Sequence, residues 1–139
     1  MSETSDGKWR AILPAELFRT NAWTLGHITS DKDSDGVLRR AKAFHDDPRQ
    51  GRLWHLGIVL AARELGLDLP NAIITSSRIV LRGAGGVERR IPITSDGYFY
   101  INWCLAWNDP RIALGSFAEV AGLKVGGQPP DWRGKLVVV

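Results

Sequence analysis

Cysteine is nearly absent. Cys104 is the single thiol in 139 residues, so no disulfide forms inside the chain, and stability has to come from an apolar core. That usage suits the cytosol and the bacterial periplasm equally. Long apolar runs are missing too: no stretch reaches the ~18 residues of a membrane-spanning helix. Met1 to Lys8 is polar and carries no apolar stretch, so no signal peptide is visible there. Nor is charge of one sign concentrated. The 18 basic and 15 acidic residues leave only +3 and are interleaved, so the basic footprint of a nucleic-acid binder is lacking and no nucleic-acid partner is expected.

Catalytic patterns are equally scarce. His27, His45 and His55 with Cys104 form no H-x-x-x-H or C-x-x-C pair, so spacing gives no metal site. Ser116 follows Gly115, but G-x-S-x-G is absent, and the bland reading of Cys104 is a small buried thiol. Gly83-Ala84-Gly85-Gly86 has neither dinucleotide nor P-loop spacing and reads as a hairpin loop. These gaps argue for a protein that is not an enzyme and carries no cofactor.

What is present is ordinary globular composition, with 44% hydrophobic and 24% charged residues, plus six tryptophans. Residues 1–16 read as a flexible leader. The stretch Trp23-Leu25-His27 suggests a strand, paired as a hairpin with Val37 to Phe44 across the polar turn Asp31–Gly36. Asp46-Asp47-Pro48 reads as a helix start, and Leu53, Leu56, Val59, Leu60 and Leu65 carry that helix over 48–66 until Gly66. Arg78 to Arg82 and Val87 to Ile93 flank the glycines as a second hairpin. Tyr98 to Trp103 is a β-prone run, a short helix covers 116–123, and Lys135 to Val139 resembles a central strand. Together these predict an α/β fold, with α+β as the variant: a mixed sheet of about five to six strands with one long and one short helix packed on it. An ending inside such a strand suggests a piece of a longer chain.

Two small constellations carry possible binding chemistry. Asp31, Asp33 and Asp35 with Gly36 fit the opening of a calcium loop, whose alternating carboxylates surround a hard cation. The ninth and twelfth positions, Arg39 and Lys42, are wrong for it, and a polar turn with aspartates capping backbone N–H groups is the plainer reading. A calcium- or cation-stabilised binding module using Asp31, Asp33 and Asp35 therefore stands as the alternative function. Arg39 and Trp103 are the candidate ligand-contacting residues. For Arg39, pairing with an aspartate of its own turn competes with ligand capture.

The order of segments says more than any one of them. Asn21-Ala22-Trp23-Thr24-Leu25-Gly26-His27-Ile28 precedes Asp33-Ser34-Asp35-Gly36-Val37-Leu38-Arg39. Then come an apolar helix, Ile91-Pro92-Ile93, Asp96-Gly97-Tyr98-Phe99-Tyr100-Ile101-Asn102 and a closing Gly134-Lys135-Leu136-Val137-Val138. This order resembles the second type of CHASE domain, an extracytoplasmic sensor module of bacterial receptors. The resemblance covers residues 17–139, as the C-terminal part of such a domain. It implies a membrane-anchored, homodimeric parent receptor with a cyclase, histidine kinase or protein kinase output. It also implies an unidentified small-molecule or peptide signal and an extracytoplasmic location, periplasmic or at the cell surface. It assigns no catalytic residue.

Overall fold

The structure is a computed structural model and describes residues 2–3, 9–104, 106 and 109. The chain divides into two compact units, Met1–Ile101 and Asn102–Val139, and the elements below belong to the first. The expected helix at 116–123 and strand at 135–139 lie outside the described residues.

The elements in chain order are β1 (Ser2–Glu3), β2 (Trp9–Arg10), α1 (Glu16–Asn21), β3 (Arg40–Lys42), β4 (Phe44–Asp47), β5 (Gly51–Trp54), α2 (Leu56–Glu64), β6 (Leu67–Ile74), β7 (Arg78–Gly83), β8 (Glu88–Pro92) and β9 (Tyr98–Tyr100). Mixed α/β composition holds. A single sheet does not: the described strands form three two-stranded sheets and one three-stranded sheet, all with antiparallel ladders.

The β6-β7-β8 meander is the largest of the described sheets. Ile79, Val80 and Leu81 are consecutive and all buried, which is why β7 is its centre. The glycine loop closes β7 onto β8 as expected, with Gly85 and Gly86 supplying φ of 67° and 79°. β6 bulges between Asp68 and Ile73, because Asp68 turns its carboxylate onto the Asn71 backbone and side-chain N–H groups.

The expected helix at 48–66 is corrected. Asp47 Oδ1 accepts from the N–H groups of Arg49 and Gln50 at 2.7 and 2.9 Å, and Gly51 has φ 71°. The aspartate-to-backbone chemistry that caps a helix here closes a β4–β5 hairpin instead. Helix begins only at Leu56, capped by His55, and it ends as read before Gly66, whose φ is 61°.

A second correction concerns the first hairpin. Val37 to Phe44 does not pair with residues 23–29; β3 pairs with β9, setting Ala41 opposite Phe99. The turn folds back on itself, with Asp33 N–H on the Val37 carbonyl at 3.0 Å and Gly36 N–H on the Asp33 carbonyl at 2.8 Å. Immediately beyond, the Arg39 carbonyl accepts from Ile101 N–H, handing the strand to β9.

The core gathers Ile58 and Val59 of α2 with Ile79 and Leu81 of β7, Trp54 of β5 and Ala43. Phe44, Leu67, Leu69 and Phe99 pack around it. Burying a side chain of this size contributes roughly 1.5–3 kcal/mol.

Candidate functional site

Backbone hydrogen bonds run across one seam of the first unit. Gly97 carbonyl accepts from Ala43 N–H at 2.9 Å, and Ala43 carbonyl accepts from His55 N–H at 2.8 Å. Trp54 carbonyl accepts from His27 N–H at 2.9 Å, and His27 carbonyl accepts from Leu56 N–H at 2.8 Å. Four segments distant in sequence thus lie side by side, with His27 and His55 in a parallel bridge. Gly26 permits this approach: a Cβ there would sit 2.8 Å from Leu56 Cα.

The ladder brings the three histidines together. His27 meets His45 edge-on at 4.7 Å and His55 at 5.4 Å between ring centroids. Trp9 stacks flat on His45 at 4.2 Å, and Phe99 meets His55 edge-on at 5.4 Å. His27 is only 7% exposed. Spacings of 18 and 10 residues gave no hint of the cluster. β4–β5 pairing and the bridge to residue 27 create it.

The hydrogen bonds assign two tautomers. Nδ1 of His27 accepts from Thr29 N–H at 3.2 Å, and Nδ1 of His55 accepts from Gly57 N–H at 3.2 Å, capping α2. Each neutral ring therefore carries its proton on Nε2. Nε2 of His27, Nε2 of His45 and Nε1 of Trp9 are buried without a hydrogen-bond partner. Burial, then the charges of His45 and His55, push His27 down to about 4. Burial also lowers His45, helped by Lys42 and opposed by Asp31 and Asp46, and burial alone lowers His55.

Two clefts flank the cluster. One of about 490 Å³ is lined by Trp9, Leu13, Leu25, His27 and Thr29. The other, about 520 Å³ and largely apolar, is lined by His55, Ile58, Leu65 and Phe99, with Arg89 and Arg90 on its wall.

The residues expected to bind do not form part of the ring cluster. Arg39 donates to Asp33 at 3.0 Å and clamps Asp35 with two bonds at 2.9 and 2.7 Å, while Arg40 lies 3.4 Å from Asp33. That pairing raises the Arg39 guanidinium and lowers the Asp35 carboxyl. Asp31 is separate: its carboxylate accepts the Tyr98 hydroxyl at 2.6 Å, which holds the phenol up at about 12. Arg40 and Lys42 lie against the same ring. Among the described residues, no group of three or more His, Cys, Asp or Glu side chains is arranged to hold a metal ion. Trp103 is 66% exposed in the second unit, where Cys104 is exposed and not buried as expected. No helix among the described residues is long and apolar enough to cross a membrane.

Residues 5–139 match the family model described as the CHASE2 domain. No curated protein and no solved structure matches the chain.

Proposed function

The chain belongs to the CHASE2 family, and from that premise we propose that it is the input domain of a bacterial transmembrane receptor whose output is a cyclase, histidine kinase or protein kinase. CHASE2 domains are extracellular sensory domains of signalling receptors. The single observation that carries the reading is the family match, which spans the Asp33–Arg39 turn, the histidine seam and the Tyr98 strand together. The domain acts outside the cytoplasmic membrane, as one half of a homodimer, on a small-molecule or peptide signal. Signal binding shifts the domain between two packings, and the shift passes to an adjoining membrane helix. Arg39 is spent on its own turn, so its part is to stiffen that loop, and the exposed Trp103 is kept as the candidate ligand contact.

Topology fusions to the parent protein test this. An alkaline phosphatase fused at the end of the domain is active only outside the cytoplasm, and the parent reading frame supplies a hydrophobic span of ~20 residues beside it. A fusion active only as a cytoplasmic fluorescent reporter, with no such span on either side, overturns the proposal.

A further inference from the structure

We infer that the seam of His27, His45 and His55 is an acid-operated latch, closed while the rings are neutral and opened by protonation, so that protons are a signal this domain reads. Its signalling meaning rests on the sensory role proposed above; the latch itself does not.

The geometry decides the sign. Nδ1 of His27 and of His55 each face a backbone N–H, that of Thr29 and of Gly57. Protonation places an N–H against an N–H and turns two attractive contacts into repulsive ones. His55 is also the cap of α2, where a positive charge opposes the helix dipole. The rings lie 4.7 and 5.4 Å apart, so each further cation enters beside an existing one.

The neighbours cannot neutralise three charges. Asp31 and Asp46 act favourably on His45, and Lys42 acts against it. Asp31 is already held by Tyr98, Asp46 pairs with Arg52, and the nearby Asp47 accepts from three backbone N–H groups. Around His55 the cleft wall brings Arg89 and Arg90, and the ring faces Phe99. Trp9 stacks on His45, where its ring face offers an imidazolium cation–π attraction but no countercharge. A proton on any one ring therefore makes the next, on a ring 4.7 or 5.4 Å away, force the rings apart.

What opens is defined by what crosses the seam. His27 and its neighbours are held by two backbone bonds, to Trp54 and Leu56, together with the ring cluster. The Ile79–Leu81 core contains no histidine and stays closed. The opened rings titrate near 6.5 and the closed His27 at about 4, so the open form binds more protons throughout that window and gains as pH falls. Across it, His27 alone changes the open-to-closed ratio roughly 300-fold.

The test is a pH titration from 7.5 to 4.5 of the 139-residue chain, following the three imidazoles by NMR and amide exchange residue by residue. The latch predicts that all three rings titrate below 6.5. It also predicts that the amides of His27, Thr29 and Leu56 lose protection as pH falls, while those of Val80 and Leu81 keep theirs. In the double variant His27→Gln, His55→Asn, the amides and caps stay satisfied without a titrating ring, and acid loss of protection shrinks at least tenfold. Rings titrating at or above 6.5, seam amides indifferent to pH, or simultaneous loss at Val80 and Leu81 overturn the latch. Should the double variant fail to fold, the wild-type titration still decides. Failure of the latch leaves the topology fusions unaffected, and a cytoplasmic topology with a working latch refutes only the receptor reading.

Discussion

Replacing Gly26 with alanine tests whether the histidine segment is seated as closely as the backbone bonds require. The added Cβ would lie 2.8 Å from Leu56 Cα, 3.1 Å from Leu56 N and 3.2 Å from Leu56 Cβ. Two of those atoms are backbone at the start of α2, so no side-chain rotation relieves the contact. Ordinary contact needs roughly 0.6 Å more, and moving that far stretches the His27 bonds to Trp54 and Leu56, now 2.9 and 2.8 Å. Overpacking of this kind costs about 1–3 kcal/mol, and each weakened backbone bond adds up to ~1 kcal/mol. A total near 2 kcal/mol lowers Tm by about 8 °C for a domain of this size. Gly36→Ala is the control. Gly36 has φ 80° and nothing within 4 Å, so alanine there meets only the left-handed backbone cost of ~1 kcal/mol. Circular dichroism melts at pH 7.5 give both numbers. A Gly26→Ala protein that melts no lower than Gly36→Ala refutes the close seam, and with it the forced contact between histidine rings.

Three further outcomes follow from side-chain contacts of the first unit. Asp47→Ala removes the acceptor for Ala11, Arg49 and Gln50 N–H groups and lowers Tm by several degrees, whereas Asp46→Ala, which loses only its exposed pair with Arg52, changes it little. Those three donors hold the Asp47 carboxyl below the usual carboxylate range, so its stabilisation is complete above about pH 4 and lost below it. A melt series at pH 5 to 2 separates this from the histidine window, which lies higher. Millimolar calcium leaves the wild-type Tm unmoved, because Arg39 occupies the carboxylates of Asp33 and Asp35 and Asp31 turns to Tyr98; a clear rise would restore the cation-stabilised reading.

How much of this was visible in the chain depended on the range of each interaction. The β7–β8 hairpin is legible because its glycine loop and apolar run are local signals. The end of α2 at Gly66 was visible for the same reason. Asp46-Asp47-Pro48 misled because one aspartate chemistry serves both a helix cap and a hairpin turn. Only the positive φ at Gly51 and the register of Phe44 opposite Trp54 tell them apart. The Arg39 pairing with its own turn was legible at a spacing of a few residues. The Tyr98–Asp31 bond, 67 residues apart, was not. β6 is hidden in the sequence because Pro70 and the Asp68 bulge interrupt the period-two pattern that marks a strand.

The histidine cluster is the extreme case of that range effect. His45 is delivered by β4, His55 by the junction of β5 with α2, and His27 by a segment outside any strand that forms a single bridge. None of the three sits at a spacing that chemistry would notice, and Trp9, which stacks on His45, precedes the first helix. Metal sites leave regular spacings because short elements often supply paired ligands. A cluster whose work is to be uncharged needs only mutual contact and dryness, and contact between distant segments leaves no spacing behind. It does leave a dependence on every backbone bond that holds the segments together. That is why the test of the seam is a glycine with no chemistry of its own: if Gly26 tolerates a methyl group, the rings have room to separate without acid, and proton binding would have nothing to release.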